Sequence, residues 1–216
     1  MNRRLLGLLV LLALTGCVES SAPWGPAPVA STSPGNSTPE LTIRSVAWSW
    51  NHQSVEAYRS LFTDDYRFSF STLDPAGDAY RGDTWIREDE MIFAQHLFVG
   101  GSPTEPAATS IQLAFNSKLV VEPDPRPGKD PRRYKYVRTA LSLVVIDPDK
   151  MTDVTGFTNF YLVRGDSAEV PLGSVRDSTR WYIDRWEDDT ANNGGAPAQA
   201  MPTRNPTLGR IKALYR

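Results

Sequence analysis

The chain has 216 residues, a formal net charge of −2 and a single cysteine. A balance this close to neutral argues against a nucleic-acid partner, which would call for a strongly basic face. Two histidines that stand in no ligand-spaced cluster argue against zinc, and no metal or cofactor is expected.

The first element is a leader. Arg3 and Arg4 precede ten apolar residues, Leu5 to Leu14, which is too short for a spanning helix of about 20 residues and fits a secretory signal. The run closes on Leu14-Thr15-Gly16-Cys17, which resembles the lipobox of bacterial lipoproteins. The resemblance implies cleavage between Gly16 and Cys17 and lipidation of the Cys17 thiol. A free thiol is otherwise out of place in an exported protein, where it pairs or reacts. Loss of residues 1–16 takes the net charge from −2 to −4. Val18 stands where an aspartate would signal inner-membrane retention. The expected address is therefore the bacterial cell envelope, at the outer membrane, with the lipid anchor making the membrane itself a partner.

Residues 17–37 carry the anchor and a linker rich in Pro, Ser, Gly and Ala. About 20 such residues reach roughly 25 Å as a coil and roughly 60 Å when extended. Ser37-Thr38-Pro39-Glu40 then reads as a capping box with proline in the first turn. Ile43, Val46, Ala47 and Trp50 fall on one helical stripe. His52 follows that stripe, where a cation suits the helix end. Ser54 starts a second short helix, and a strand with Tyr66, Phe68 and Phe70 on one face comes next.

A third helix is expected over about 84–99, capped by Asp83 or Thr84 and stopped at Gly100-Gly101, with Ile86, Phe93 and Leu97 inward. From there the period becomes two. Strands are expected from Ile111 to Val121, Tyr134 to Ile146, Val154 to Arg164 and Arg180 to Asp188. The proline-rich 122–135 reads as a long hairpin tip projecting into solvent. Residues 189–216 form a low-order tail ending in a short helix with Leu208, Ile211 and Leu214 or Tyr215 on one side. Helices first and antiparallel strands afterwards give an α+β class.

Two helices, then "YRSLFTDDYRFSF", a third helix and a sheet ending in "WYIDRW" resemble the NTF2-like superfamily, which includes SnoaL-like proteins, over residues 38–188. The resemblance implies a cone: three helices packed on a curved, mostly antiparallel sheet. It also implies scattered site residues. The candidates are His96 and Asp65 for acid–base work, and Trp48, Phe68, His96, Phe157, Tyr161 and Trp181 for a pocket wall. Packing alone explains most of the aromatics, and adjacent Asp64 and Asp65 do not converge by themselves. The expectation is an anchored protein that binds a small apolar ligand or an envelope protein without catalysis. An isomerase, dehydratase or cyclase is the alternative.

Overall fold

The computed structural model describes residues 32–74, 77–82, 85–166, 170, 176–190 and 206–216. The leader, Gly16, Cys17 and most of the linker lie outside the described residues. Helix α1 (Pro39–Asn51) begins one residue later than a Ser37 cap would place it. Thr38 is the cap, its hydroxyl accepting from the Leu41 N–H at 3.2 Å, with Pro39 as first helical residue. Leu41 rather than Glu40 therefore holds the third position, and the reciprocal half of the capping box is missing. His52 closes the helix as expected, with Nδ1 2.9 Å from the Trp48 carbonyl and its ring stacked on Trp48.

The turn into α2 (Val55–Arg59) requires a left-handed residue, and Gln53 supplies it at φ 51°. Such a conformation is unfavourable for a residue with a side chain, and here that side chain is bonded: Nε2 donates to the carbonyls of Phe98 and Ala108. Ser54 caps α2 through the Ala57 N–H. Strand β1 (Phe62–Ser69) buries Tyr66 and Phe68. Asp64 and Asp65 sit within this strand, and Asp65 is exposed.

The third helix is shorter than its pattern. Trp85 and Ile86 form strand β2 against β1, α3 spans Arg87–Gln95, and a π-helical turn continues through His96–Gly100. Residues 83 and 84, the expected caps, lie outside the described residues. The Asp89 carboxylate closes the start of α3 by accepting from the Ile86 N–H at 3.1 Å. Gly101 stops the chain at φ 71°, where an added Cβ would lie 2.9 Å from the Glu105 carbonyl.

Strand β3 (Ser110–Phe115) ends six residues before Val121. The guanidinium of Arg44 on α1 gathers the carbonyls of Asn116 and Ser117, and Asn51 pairs with both backbone groups of Leu113. Side chains of α1 thus satisfy the edge that a further strand would otherwise cover. Strand β4 (Glu122–Pro123) is a two-residue stub on β5 (Tyr134–Ile146). Strands β6 (Met151–Gly165) and β7 (Asp177–Thr190) complete the sheet, and α4 (Leu208–Leu214) closes the body.

The sheet order is β2-β1-β7-β6-β5-β3, with β4 beside β5. All pairings are antiparallel except β1 with β7, which is parallel and sets Phe62 against Ile183 and Phe68 against Trp186. The result is the α+β class, with helices packed into a curved mixed sheet. Between the layers lies one apolar cluster in which Trp50, Phe62, Phe68, Trp85, Phe93, Phe160 and Trp186 meet.

Two predicted loose regions are tied down. Asn36, inside the predicted linker, exchanges hydrogen bonds with the backbone of Trp181. The 122–135 segment does not simply project. Arg126 folds back to pair with Asp124 and Asp184 and lies over the Tyr161 ring at 4.4 Å.

Candidate functional site

Inside the apolar cluster lies the carboxylate of Glu90, fully buried. It stands on α3 three, four and seven residues before Phe93, Ala94 and Leu97, so it shares their inward stripe. Oε1 accepts from the Tyr58 hydroxyl at 2.5 Å and from Lys212 Nζ at 2.5 Å. Oε2 accepts from Trp85 Nε1 at 2.8 Å and from the Tyr66 hydroxyl at 3.1 Å. A carboxylate offers about four lone-pair sites. All four are used.

Lys212 reaches this centre from α4 and is itself fully buried. Its ammonium lies 4.0 Å from the ring centre of Phe68, 4.2 Å from that of Trp186 and 5.3 Å from that of Phe93. Burial pulls its pKa down to about 8, against the raising effect of the Glu90 charge. Burial and the Glu90 charge together hold the Tyr58 and Tyr66 hydroxyls well above the usual tyrosine range.

Helix α4 is latched at both ends. At its start Asp188 accepts from the Gly209 N–H at 2.7 Å, Thr190 from the Leu208 N–H at 3.0 Å, and Thr207 donates to Asp74 at 2.8 Å. Burial raises the pKa of Asp188. At its end the Tyr215 hydroxyl donates to the Pro106 carbonyl at 3.0 Å, and Ser102 donates to the Leu214 carbonyl at 3.0 Å. His96 completes this latch, with Nδ1 2.9 Å from the Tyr215 carbonyl. A carbonyl can only accept, so the His96 Nδ1–H is the donor in this bond.

Outside, a groove of about 440 Å³ runs along α3, lined by Arg59, Arg87, Glu88, Met91, Ile92, Gln95 and His96. Ile92 is 47% exposed beside it. Starting α3 at Arg87 leaves Glu90, Met91, Phe93 and Ala94 inward.

The other candidates do not converge. Asp65 is an exposed strand residue and lines no part of this groove. Phe68 is buried at the Lys212 seat, while Trp181 is half-buried against the core near α1. Trp48 is half-buried and stacks on His52. Phe157 and Tyr161 sit beneath Arg138 and Arg126 respectively, with Phe157 47% exposed. Sequence reasoning missed Glu90, Lys212, Tyr58 and Tyr66 as a unit. One signal could have found the pair: Lys212 stands at helical spacing with Leu208, Ile211 and Tyr215, as Glu90 does with its own stripe. Each is a charge on an otherwise apolar face. Among the described residues no group of three metal-ligating side chains forms, and no helix is long and apolar enough to cross a membrane.

No family model matches the chain, and no curated protein does. Among solved structures it is similar to a Mycobacterium tuberculosis protein of unknown function, at 13% identity and TM-score 0.49 over 81% of this chain and 80% of that one. A Novosphingobium aromaticivorans protein carrying the provisional name of a scytalone dehydratase matches at 11% identity and TM-score 0.48, over 79% and 91% of the two chains. An NTF2-like superfamily protein of Salmonella enterica matches at 11% identity and TM-score 0.46, over 74% and 92%. Likeness at this level concerns the path of the chain and transfers no chemistry.

Proposed function

We propose that this chain is a lipid-anchored protein of the bacterial envelope whose domain engages a protein partner through its outer surface and carries out no reaction. One observation supports this most. The polar centre of the core is saturated, with every acceptor position of Glu90 taken by a side chain of the same molecule. While those four donors stay in place, Glu90 has no valence left for a substrate. The outer groove along α3 is open to recognition, with Ile92 and Met91 as its apolar part and Arg59, Arg87 and Glu88 as its charged rim. Apolar contact framed by polar residues is the composition of a recognition patch. Cys17, by its resemblance to a lipobox cysteine, supplies the anchor.

The alternative, an isomerase or dehydratase, rests on His96, which lines the same groove as Glu88. That reading requires His96→Ala to remove turnover. The latch assigned above requires it only to lower stability.

In-cell photocrosslinking tests the proposal. A photoreactive residue at Gln95 should trap one discrete envelope protein, and Ile92→Asp should erase that adduct without changing the melting temperature. Cys17→Ser should leave the leader uncut and lose the adduct as well. No adduct at 95, or an adduct indifferent to Ile92→Asp, overturns the docking assignment.

A further inference from the structure

A primary ammonium held between a carboxylate and aromatic faces is a recognition arrangement in its own right, because the rings present their negative faces to the cation. Here the receptor and the cation come from different parts of the chain. Glu90 and Phe93 come from α3, Phe68 and Tyr66 from β1, Trp85 from β2, Tyr58 from α2 and Trp186 from β7. Only the ammonium comes from α4. The body thus builds a complete site, and α4 delivers its occupant on a four-carbon stem.

Stability alone does not explain this choice. Apolar residues of similar volume commonly stabilise a core as well as a buried ion pair does, and three aromatic rings already face this position. The site also has a defined selectivity. Oε1 is shared by Tyr58 and Lys212, so the guest must donate a hydrogen bond as well as carry charge. A primary ammonium on an unbranched apolar stem meets both requirements. A quaternary ammonium has no N–H, and a neutral alcohol has no charge.

We propose that the centre of the cone is a binding site for primary alkylammonium ligands, occupied in the resting protein by Lys212, and that such a ligand competes with α4 for it. This goes beyond the partner reading and does not depend on the groove. The seat is inside the sheet, and the groove is on the outer side of α3.

The experiment uses the full-length protein in non-ionic detergent, with n-butylammonium chloride as probe and n-butanol and sodium chloride as controls. In Lys212→Ala the seat is vacated. n-Butylammonium should then raise the melting temperature along a saturable curve, by roughly 3–5 °C at ten times its Kd, while n-butanol and sodium chloride give much smaller, unsaturated changes. Equal shifts from n-butanol and n-butylammonium would mean that only a hole is being filled, and would overturn the proposal. If Lys212→Ala does not fold unaided, its refolding yield from denaturant in the two additives reads the same difference. In the unmodified protein, trypsin cleavage after Arg210 and Lys212 should speed up with n-butylammonium and not with n-butanol. Unchanged cleavage at concentrations that saturate Lys212→Ala would remove the competition with α4.

Discussion

The centre of the core and the outer face of the sheet carry the same interaction at different depths. At the centre, Lys212 lies 2.5 Å from Glu90 and over aromatic rings, with both side chains fully buried. On the outer face, Arg138 lies 2.5 Å from Asp189 and 4.6 Å from the centre of the Phe157 ring, with side chains 47% and 33% exposed. Equal distances do not mean equal energies. Water competes for the outer pair and screens it, whereas the fully buried inner pair is shielded from that competition. Arg126 is intermediate: its side chain is 24% exposed and rests on Asp124, whose side chain is fully covered.

The strongest way to break this comparison is to remove one charge from the centre. Glu90→Gln leaves a buried ammonium uncompensated and should cost about 3–5 kcal/mol in urea unfolding. Adding Lys212→Met to the same chain should recover most of that loss. If the double variant is as unstable as the single one, packing rather than charge explains the cost.

A smaller effect is expected from pH, and its sign differs between two groups. Lys212 titrates at about 8 in the folded protein and at about 10.4 when unfolded. Between these values the unfolded chain holds the extra proton, so stability rises with pH. Tyr58 and Tyr66 have raised values, so above about 10 the unfolded tyrosines ionise while the folded ones stay neutral. Stability then falls. A melting temperature that climbs from pH 8 towards 10 and drops beyond it is the expected profile. A flat profile would show that the centre is hydrated in solution.

The smallest effect belongs outside. Arg138→Ala should change stability by less than about 1 kcal/mol. The difference from the parent protein should shrink further in 1 M salt. A loss as large as that of Glu90→Gln would erase the distinction between the two regions.

Strand β5 was legible to the residue, Tyr134 to Ile146, because one of its faces is covered and the other is wet. Helix α3 was overextended, since the apolar pair Trp85 and Ile86 suits a helical stripe as well as a strand, and only the partner β1 decides between them. The parallel β1–β7 pairing was not legible, because no local pattern states which of two distant segments will meet. The same holds for the site. His96 attracted notice as a titratable group near an apolar stripe, yet it latches α4. Glu90 and Lys212 each stand as a charge on an otherwise apolar helical face, but nothing local states that the two face each other. The lipidation of Cys17 is a proposal that rests on resemblance alone, since residue 17 lies outside the described residues.

The parallel pairing also has a consequence in time. Phe62 meets Ile183 and Phe68 meets Trp186, partners more than 110 positions apart along the chain. Contacts of such long sequence separation form late and slowly. Strand β1 waits, with its aromatic face uncovered, until β7 has been synthesised, and the Glu90 seat waits longer still for α4. A chain built this way postpones its own closure until nearly all of it is present. For the envelope address proposed above, delay of that kind would keep the polypeptide open until its export.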